Sequence, residues 1–401
     1  MSRRTDLVCT VAVLTALASP ALAQKAYDPG ASDSEIRIGQ TMPYSGPVSV
    51  AGAVGRAEQA FFAALNAAGG INGRKLTLVS LDDGYVPAKA VEQVRRLVED
   101  EKVLFVFGSV GTPTNAAVQK YLNAAKVPQL FITAGAAKFG DPETSPWTMG
   151  WLPTYATEGA IIGDYIRKTM PDPRIAVLYQ NDDLGRDYLA GFKQALGADA
   201  AKLIVQQATF ETSDPTVESQ IVALQASGAN VLFYAGTQKA GAQEIRKTYD
   251  IGWHPAHFVV STASSIPLVL VPAGLEKAEG IVSAQFLKDL SDPAWKDDAG
   301  ANEYRAWMAK NMPGDDVAND NFQIGWSEGL TLLHVLQKCG DTLTRANLMK
   351  QAADIHDLKL PMLLPGIALN TSATNFHPIR MKQLIRFHAG AWERIGEPVS
   401  Y

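Results

Sequence analysis

At 401 residues the chain is long enough to bury a large core and to divide into two domains. Its 47% hydrophobic and 19% charged residues are a globular composition, which excludes a disordered or fibrous chain. A formal net charge of -5 argues against nucleic acid as a partner.

The N-terminus reads as an export signal. Arg3 and Arg4 precede an apolar run from Leu7 to Ala18, and Ala21-Leu22-Ala23 supplies small residues for cleavage. Cleavage is expected after Ala23, which leaves residues 1–23 as a signal peptide and delivers the mature chain to the periplasm. The run is too short for a comfortable membrane span, and Cys9 lies inside it rather than at its end, so no lipid anchor is indicated. The mature chain keeps Cys339 alone and has no partner for an internal disulfide.

From Ile36 the chain alternates strand and helix patterns. Strands are expected at Ile36–Met42, Lys75–Leu81, Val103–Phe107 and Gln129–Thr133. Helices are expected at Arg56–Ala67, Pro87–Asp100 and from Pro113 to Leu122. Between the third strand and its helix lies Gly108-Ser109-Val110-Gly111-Thr112. This turn reads either as a plain Thr112 cap or as an anion site, because a helix start presents free N–H groups and the positive end of its dipole. Asp141–Pro153, with its prolines and tryptophans, reads as a crossover. The alternation then restarts with helix Tyr155–Thr169, strand Arg174–Tyr179, helix Gly185–Leu196, strand Lys202–Gln207 and helix Pro215–Ala226. Strand Val231–Ala235, helix Ala240–Tyr249 and strand Phe258–Ser261 follow. After strand Ile281–Phe286 come helices near 302–310, 322–338 and 345–353, and a terminal hairpin built on the alternation from Ile379 to Phe387. The expected fold class is α/β, with two Rossmann-like doubly wound lobes. The first lobe takes 33–153 with about 284–365 returning to it, and the second takes 154–283 with about 366–401.

Motifs for catalysis are missing from the sequence. There is no G-x-S-x-G, H-E-x-x-H, phosphate-binding G-x-x-x-x-G-K-[ST] or cysteine pair, so neither an enzyme nor a cofactor is expected. His254 and His257 flank Pro255 and lack further ligands for a metal. Asp82-Asp83 and Asp182-Asp183 follow strands, where acidic turn residues are ordinary. Trp147 and Trp151 read as packing, while Tyr155 serves packing or a pocket equally well. The strand ends are small and rich in hydroxyls, which suits a binder. Three or four charge-assisted hydrogen bonds, each worth about 1.5–3 kcal/mol, hold a carboxylate without an arginine.

At these residues the chain resembles the type I periplasmic binding proteins, in the leucine/isoleucine/valine-binding branch. The resemblance is carried by IRIGQTMPYSGPVSVAG, AALNAAGGINGRKLTLVSLDD, FGSVGTPTNAAVQKYL, VPQLFITAGA, IAVLYQNDDLGRDYLAGFKQAL and SGANVLFYAGTQKAGAQEIRK. It implies two lobes joined by a multi-stranded hinge, closing on a ligand between them. It also implies a monomer that passes a small-molecule carboxylate to an ABC permease and ATPase complex in the inner membrane. By the same resemblance Thr112, Gly135 and Ala137 hold the carboxylate, and the strand-end loops add Ser45, Ser109 and Thr133 as candidate ligand contacts. Tyr155, Thr237, Gln238 and Thr262 contribute from the second lobe. The chain departs from the branch at several points. Ala137 replaces a hydroxyl residue, for which Thr133 is a candidate substitute. Leu184 stands at an aromatic position, and the tyrosine expected after Ser-Gly-Pro is replaced near Ala51. The loop Ser261-Thr262-Ala263-Ser264-Ser265 lacks the acid that pairs with a ligand ammonium. Because an unpaired buried ammonium is costly, the expected ligand is a hydrophobic or aromatic carboxylate without an amine. The alternatives are a branched-chain or hydrophobic amino acid, served by Asp182 or Asp183, and a ligand-sensing role for a membrane receptor.

Overall fold

The computed structural model describes residues 25–401, so the expected signal peptide and Cys9 lie outside the described residues. The strands in chain order are β1 (Ala26–Tyr27), β2 (Glu35–Met42), β3 (Lys75–Asp82), β4 (Phe105–Phe107), β5 (Gln129–Ile132) and β6 (Thr148–Gly150). They continue with β7 (Ile175–Gln180), β8 (Ile204–Phe210), β9 (Val231–Ala235), β10 (Ala256–Val259) and β11 (Val282–Gln285). Last come β12 (Thr342–Leu343), β13 (Lys382–His388) and β14 (Ala391–Val399).

The first sheet runs β3-β2-β4-β5-β6, all parallel. The second runs β14-β13-β11-β10-β9-β7-β8, parallel from β11 to β8, with the antiparallel hairpin β13-β14 on its other edge. Each parallel set reverses its winding once, between β2 and β4 and again between β7 and β9. Such a reversal opens a crevice at the C-terminal ends of the strands, where doubly wound folds bind ligands. Helices Ala53–Ala67, Pro87–Glu99 and Thr112–Ala125 connect the first sheet, and Tyr155–Thr169, Asp183–Leu196, Glu218–Ala226 and Gln238–Asp250 connect the second.

Three places differ from the sequence reading. The Asp141–Pro153 stretch, expected as a crossover, contains β6, which pairs with β5 before the chain leaves the first sheet. Strand β8 starts later than expected, after a helical turn at Ala200–Leu203, and continues to Phe210. Its polar Gln206, Gln207 and Thr209 suit an edge strand with few buried positions, so the apolar pattern understates it. Thr112 is the first residue of its helix rather than the cap, a place taken by Gly111 at φ 114°.

The chain crosses between the sheets three times. After β11, residues 287–379 rejoin the first sheet, and helix Asp320–Cys339 lies along helix Ala53–Ala67 within one continuous core (Ile36, Phe105, Trp326, Leu332, Ile379). β13 and β14 then complete the second sheet. Between the two long helices sit the carboxyl groups of Glu58 and Glu328, both with no exposure. Burial and the mutual repulsion of the two groups push Glu58 well above the usual carboxylate range, so one of the pair keeps its proton. Gln40 donates to Glu58, and Thr133 Oγ1 donates to Glu328 at 2.8 and 2.9 Å.

Gly108 borders this pair at φ 59°, and a Cβ there would fall 2.0 Å from Glu58 Oε1. Gly108→Ala therefore meets both backbone strain and overpacking, each costing on the order of 1–3 kcal/mol. Urea unfolding should show a lower midpoint with an unchanged slope; a midpoint equal to that of the parent would remove this contact as a constraint on the loop.

Candidate functional site

The two crevices face one another and enclose a cavity of about 1050 Å³, its mouth included. One side is apolar, with Val48, Val54 and Ile324 from the first lobe, and Leu184 and Ile266 from the second. Polar groups gather in two regions. At the start of helix Thr112–Ala125, the Thr112 and Tyr155 hydroxyls lie 3.2 Å apart. The Tyr85 hydroxyl approaches the Thr112 N–H and the Gln180 side chain. Burial pushes the Tyr155 phenol up to about 12, so it remains a hydrogen-bond donor across the physiological range. Tyr85 itself sits at φ 62°, and Gly111 makes room for its ring, since a Cβ there would lie 2.7 Å from a ring carbon. The second polar region is formed by Asp289, Asp320 and Gln323. Asp320 begins helix Asp320–Cys339 and accepts from Ser265 Oγ of the second lobe at 2.9 Å.

Six of the ten residues expected at the site line this cavity: Thr112, Thr133, Tyr155, Thr237, Gln238 and Thr262. Four are placed elsewhere. Ser45 is exposed and donates to Asp82 through its N–H and its hydroxyl, closing the turn after β2. Ser109 is buried, and its Oγ accepts from the Thr41 N–H, extending the pairing of β2. Gly135 accepts from the Tyr155 N–H at 2.9 Å and is covered by the Tyr155 ring. Ala137 donates its N–H to Asp187 of the second lobe at 2.9 Å, beside the ion pair Lys138–Asp183. Its loop is thus an interlobe contact. Thr133 does reach the cavity, but its hydroxyl is spent on Glu328 and the Gly108 carbonyl, so it is not the free substitute donor expected for a carboxylate. Thr262 likewise donates to the Gly236 carbonyl at 2.8 Å.

The acidic pairs weighed in the sequence are turn residues. Asp182 caps helix Asp183–Leu196 by accepting from Leu184 and Gly185 N–H. Asp82 accepts from Ser45, Gly84 and Lys89, contacts that hold its carboxyl well below the usual range. Asp83 is buried and its carboxyl is pushed up to about 6. Trp151 is fully buried, and its Nε1 donates to Thr331 Oγ1. Tyr155 faces the cavity and also stacks on Tyr188 at 4.6 Å.

The loop expected to lack an acid carries none of its own but bonds directly to two from other elements, Asp320 through Ser265 and Glu158 through Ser261. Ser261 donates to Glu158 through its N–H at 2.5 Å and through Oγ at 2.7 Å. Lys382, at the start of β13, pairs with Glu158 in a fully buried contact and donates to Ser261 Oγ at 2.6 Å. Glu158 is thereby neutralised within the protein. The cavity residues missed in the sequence, Tyr85, Asp289, Asp320 and Gln323, come from loops and from the returning helix, far along the chain from the strand ends that marked the others. The Tyr85 ring follows the Asp82-Asp83-Gly84 turn, a faint local signal. Nothing local to Asp320 or Gln323 distinguishes them.

Comparison with known proteins agrees with this architecture. The sequence profile of the periplasmic binding protein family matches residues 35–387. The chain is 27% identical over 311 residues to the Leu/Ile/Val-binding protein homolog 3 of Brucella melitensis, spanning 75% of this chain and 80% of that protein. Among solved structures, a branched chain amino acid ABC transporter protein from Thermus thermophilus with bound valine superposes with TM-score 0.82 at 14% identity, covering 92% of this chain and 98% of that one. A fatty acid ABC transporter substrate-binding protein from Thermomonospora curvata superposes with TM-score 0.78 at 21% identity, covering 94% and 95%. The chain belongs to the type I periplasmic binding proteins of the leucine/isoleucine/valine-binding family. Members of that family bind substrates, and no helix among the described residues is long and apolar enough to cross a membrane.

Two predictions concern the frame of the site. Lys382→Met leaves Glu158 charged and unpaired in the interior, a loss of about 3–5 kcal/mol; urea unfolding reads it, and a loss under about 1 kcal/mol would remove this ion pair from the hinge's stability. Asp83 binds its proton more tightly folded than unfolded. Its burial therefore destabilises fully above about pH 6, and the penalty is relieved as pH falls toward about 4. Asp83→Asn, which keeps an acceptor for the Tyr85 N–H, should raise the unfolding midpoint at pH 7 and leave it nearly unchanged at pH 4; equal effects at both values would contradict the assignment.

Proposed function

We propose that this protein is the exported substrate-binding component of an ABC importer and that it captures a small hydrophobic carboxylate between its lobes. The observation that carries this reading is the hydroxyl cluster at the start of helix Thr112–Ala125, set against an apolar wall. Thr112 and Tyr155 offer O–H donors from opposite lobes, and the helix dipole favours negative charge at that end. A carboxylate seated there draws on both lobes at once, which couples binding to closure. The aliphatic or aromatic remainder meets Val48, Val54, Leu184 and Ile266. The names of two structural neighbours accord with an apolar acid and divide over its amine: one holds valine and the other is named for a fatty acid.

A specific observation favours the amino-acid alternative over the amine-free acid first expected. That expectation rested on the lack of an acid in the Ser261–Ser265 loop, yet Asp289 and Asp320 line the cavity from the other side. Residues 1–23 read as the export signal, and the importer assignment accords with the family.

The test is a thermal-shift panel of aliphatic and aromatic acids, with and without an α-amine. A bound acid at about 100 times its Kd stabilises the fold by about 2.7 kcal/mol. Thr112→Val should weaken the best acid about 10-fold or more, the worth of one hydrogen bond to a charged group. A flat panel, or a Thr112→Val variant with unchanged affinity, would refute the carboxylate site.

A further inference from the structure

Tyr85 follows the turn Asp82-Asp83-Gly84 at the end of β3 and lines the cavity. Its φ of 62° is uncommon for a bulky residue, and such a conformation persists only where the surroundings over-determine it. Here they do. The Tyr85 N–H donates to Asp83 Oδ1 at 2.8 Å. The side chain packs with Met42, Val48, Val54 and Val110, and the residue is 6% exposed. Its ring lies against Gly111, where a Cβ would come within 2.7 Å of ring carbon Cε2. The ring therefore stands directly before the start of helix Thr112–Ala125, and its hydroxyl approaches the Thr112 N–H. The second polar neighbour of the phenol oxygen is the Gln180 side chain of the second lobe, whose amide nitrogen is fixed on Asp182 Oδ2 at 2.6 Å. Both neighbours act as donors to the phenol oxygen, so neither takes its proton. Burial and the Asp182 charge push the phenol well above its ordinary range, which keeps that proton in place. Asp182 itself is engaged as the cap of helix Asp183–Leu196.

We propose that Tyr85 is a specificity-determining residue of the ligand site: its phenol stands between the helix start and the ligand, gives its O–H to the ligand carboxylate and limits how deep an acid can reach. The carboxylate is then held by the hydroxyls of Tyr85, Thr112 and Tyr155, one ring's depth short of the Thr112 N–H. A strained backbone is kept at this position because it aims the phenol at the cleft. The resemblance implied no contact from the loop after β3, so this residue is particular to the present chain's cavity. The inference rests on the carboxylate reading of the site, and the test separates the two.

Isothermal titration at pH 7.5 measures butanoate, hexanoate, octanoate and decanoate, with leucine as an amine-bearing probe. These are run on the parent chain, on Tyr85→Phe, on Tyr85→Gly and on Thr112→Val. Tyr85→Phe keeps the ring and loses the hydroxyl. It should bind every probe that the parent binds about 10-fold more weakly, with the preferred chain length unchanged. Tyr85→Gly suits the positive φ, removes the ring and uncovers the Thr112 N–H, so the preferred acid should become longer. If Tyr85→Phe binds like the parent, or Tyr85→Gly keeps the parent's preferred length, while Thr112→Val still weakens binding, the role of Tyr85 is overturned and the carboxylate site stands. If no probe binds the parent, or if neither Tyr85→Phe nor Thr112→Val changes affinity, both fall. Circular dichroism melts accompany each variant; should Tyr85→Gly not fold, or leucine alone bind, the Tyr85→Phe result decides by itself.

Discussion

The buried carboxyl pair Glu58–Glu328 is the constraint around which the first lobe and its site are arranged. It joins helix Ala53–Ala67 to helix Asp320–Cys339, the two glutamates lying 270 positions apart, and it excludes any side chain at Gly108. Two carboxyl groups with no exposure are tolerated because one retains its proton, Gln40 donates to Glu58 and Thr133 donates to Glu328. The consequence reaches the cavity directly. Thr133 is turned inward to serve Glu328, and the helix carrying Glu328 presents its first turn, with Asp320 and Gln323, to the cavity.

A second buried ion pair organises the other side. Lys382 joins the second sheet through β13, at the last crossing between lobes, and its ammonium reaches Glu158 on the first helix of that lobe and Ser261 on the loop after β10. Three segments distant in sequence are held at the rim of the cavity by one charge. Such a pair adds little net stability relative to an apolar replacement, yet removing one member is costly, so its effect is to fix geometry. The polar contacts that bridge the cleft, Thr112 to Tyr155, Ser265 to Asp320 and Ala137 to Asp187, then draw the lobes together over a space whose walls are mostly apolar.

Much of the architecture was legible because parallel α/β folds write themselves locally. Fully buried strands such as Phe105–Phe107 are short apolar runs, and helices such as Tyr155–Thr169 carry a 3.6-residue apolar period. β6 escaped notice since three residues among prolines and tryptophans form no periodic pattern. β8 escaped in part because an edge strand buries little. At the site, residues at strand ends were legible by their position, and Thr112, Thr237 and Gln238 do line the cavity. Ser109 and Ala137 lie outside the cavity because the same small, hydroxyl-rich chemistry that suits a ligand also suits strand extension and interlobe bonding.

The two doubly wound halves, the hydroxyl-bearing turn at Gly108–Thr112 and the family are readable from the linear chain, since each rests on patterns that are local in the sequence. What faces that turn is set by the packing of distant segments. Whether a hydroxyl is free or spent depends on a partner far along the chain, as Thr133 shows with Glu328. Whether the cavity contains an acid depends on where the chain returns, and it returns with Asp320. Hydrogen bonds and charges act over a few ångströms in space, and the chain's linear order does not reveal which groups folding will bring within that range.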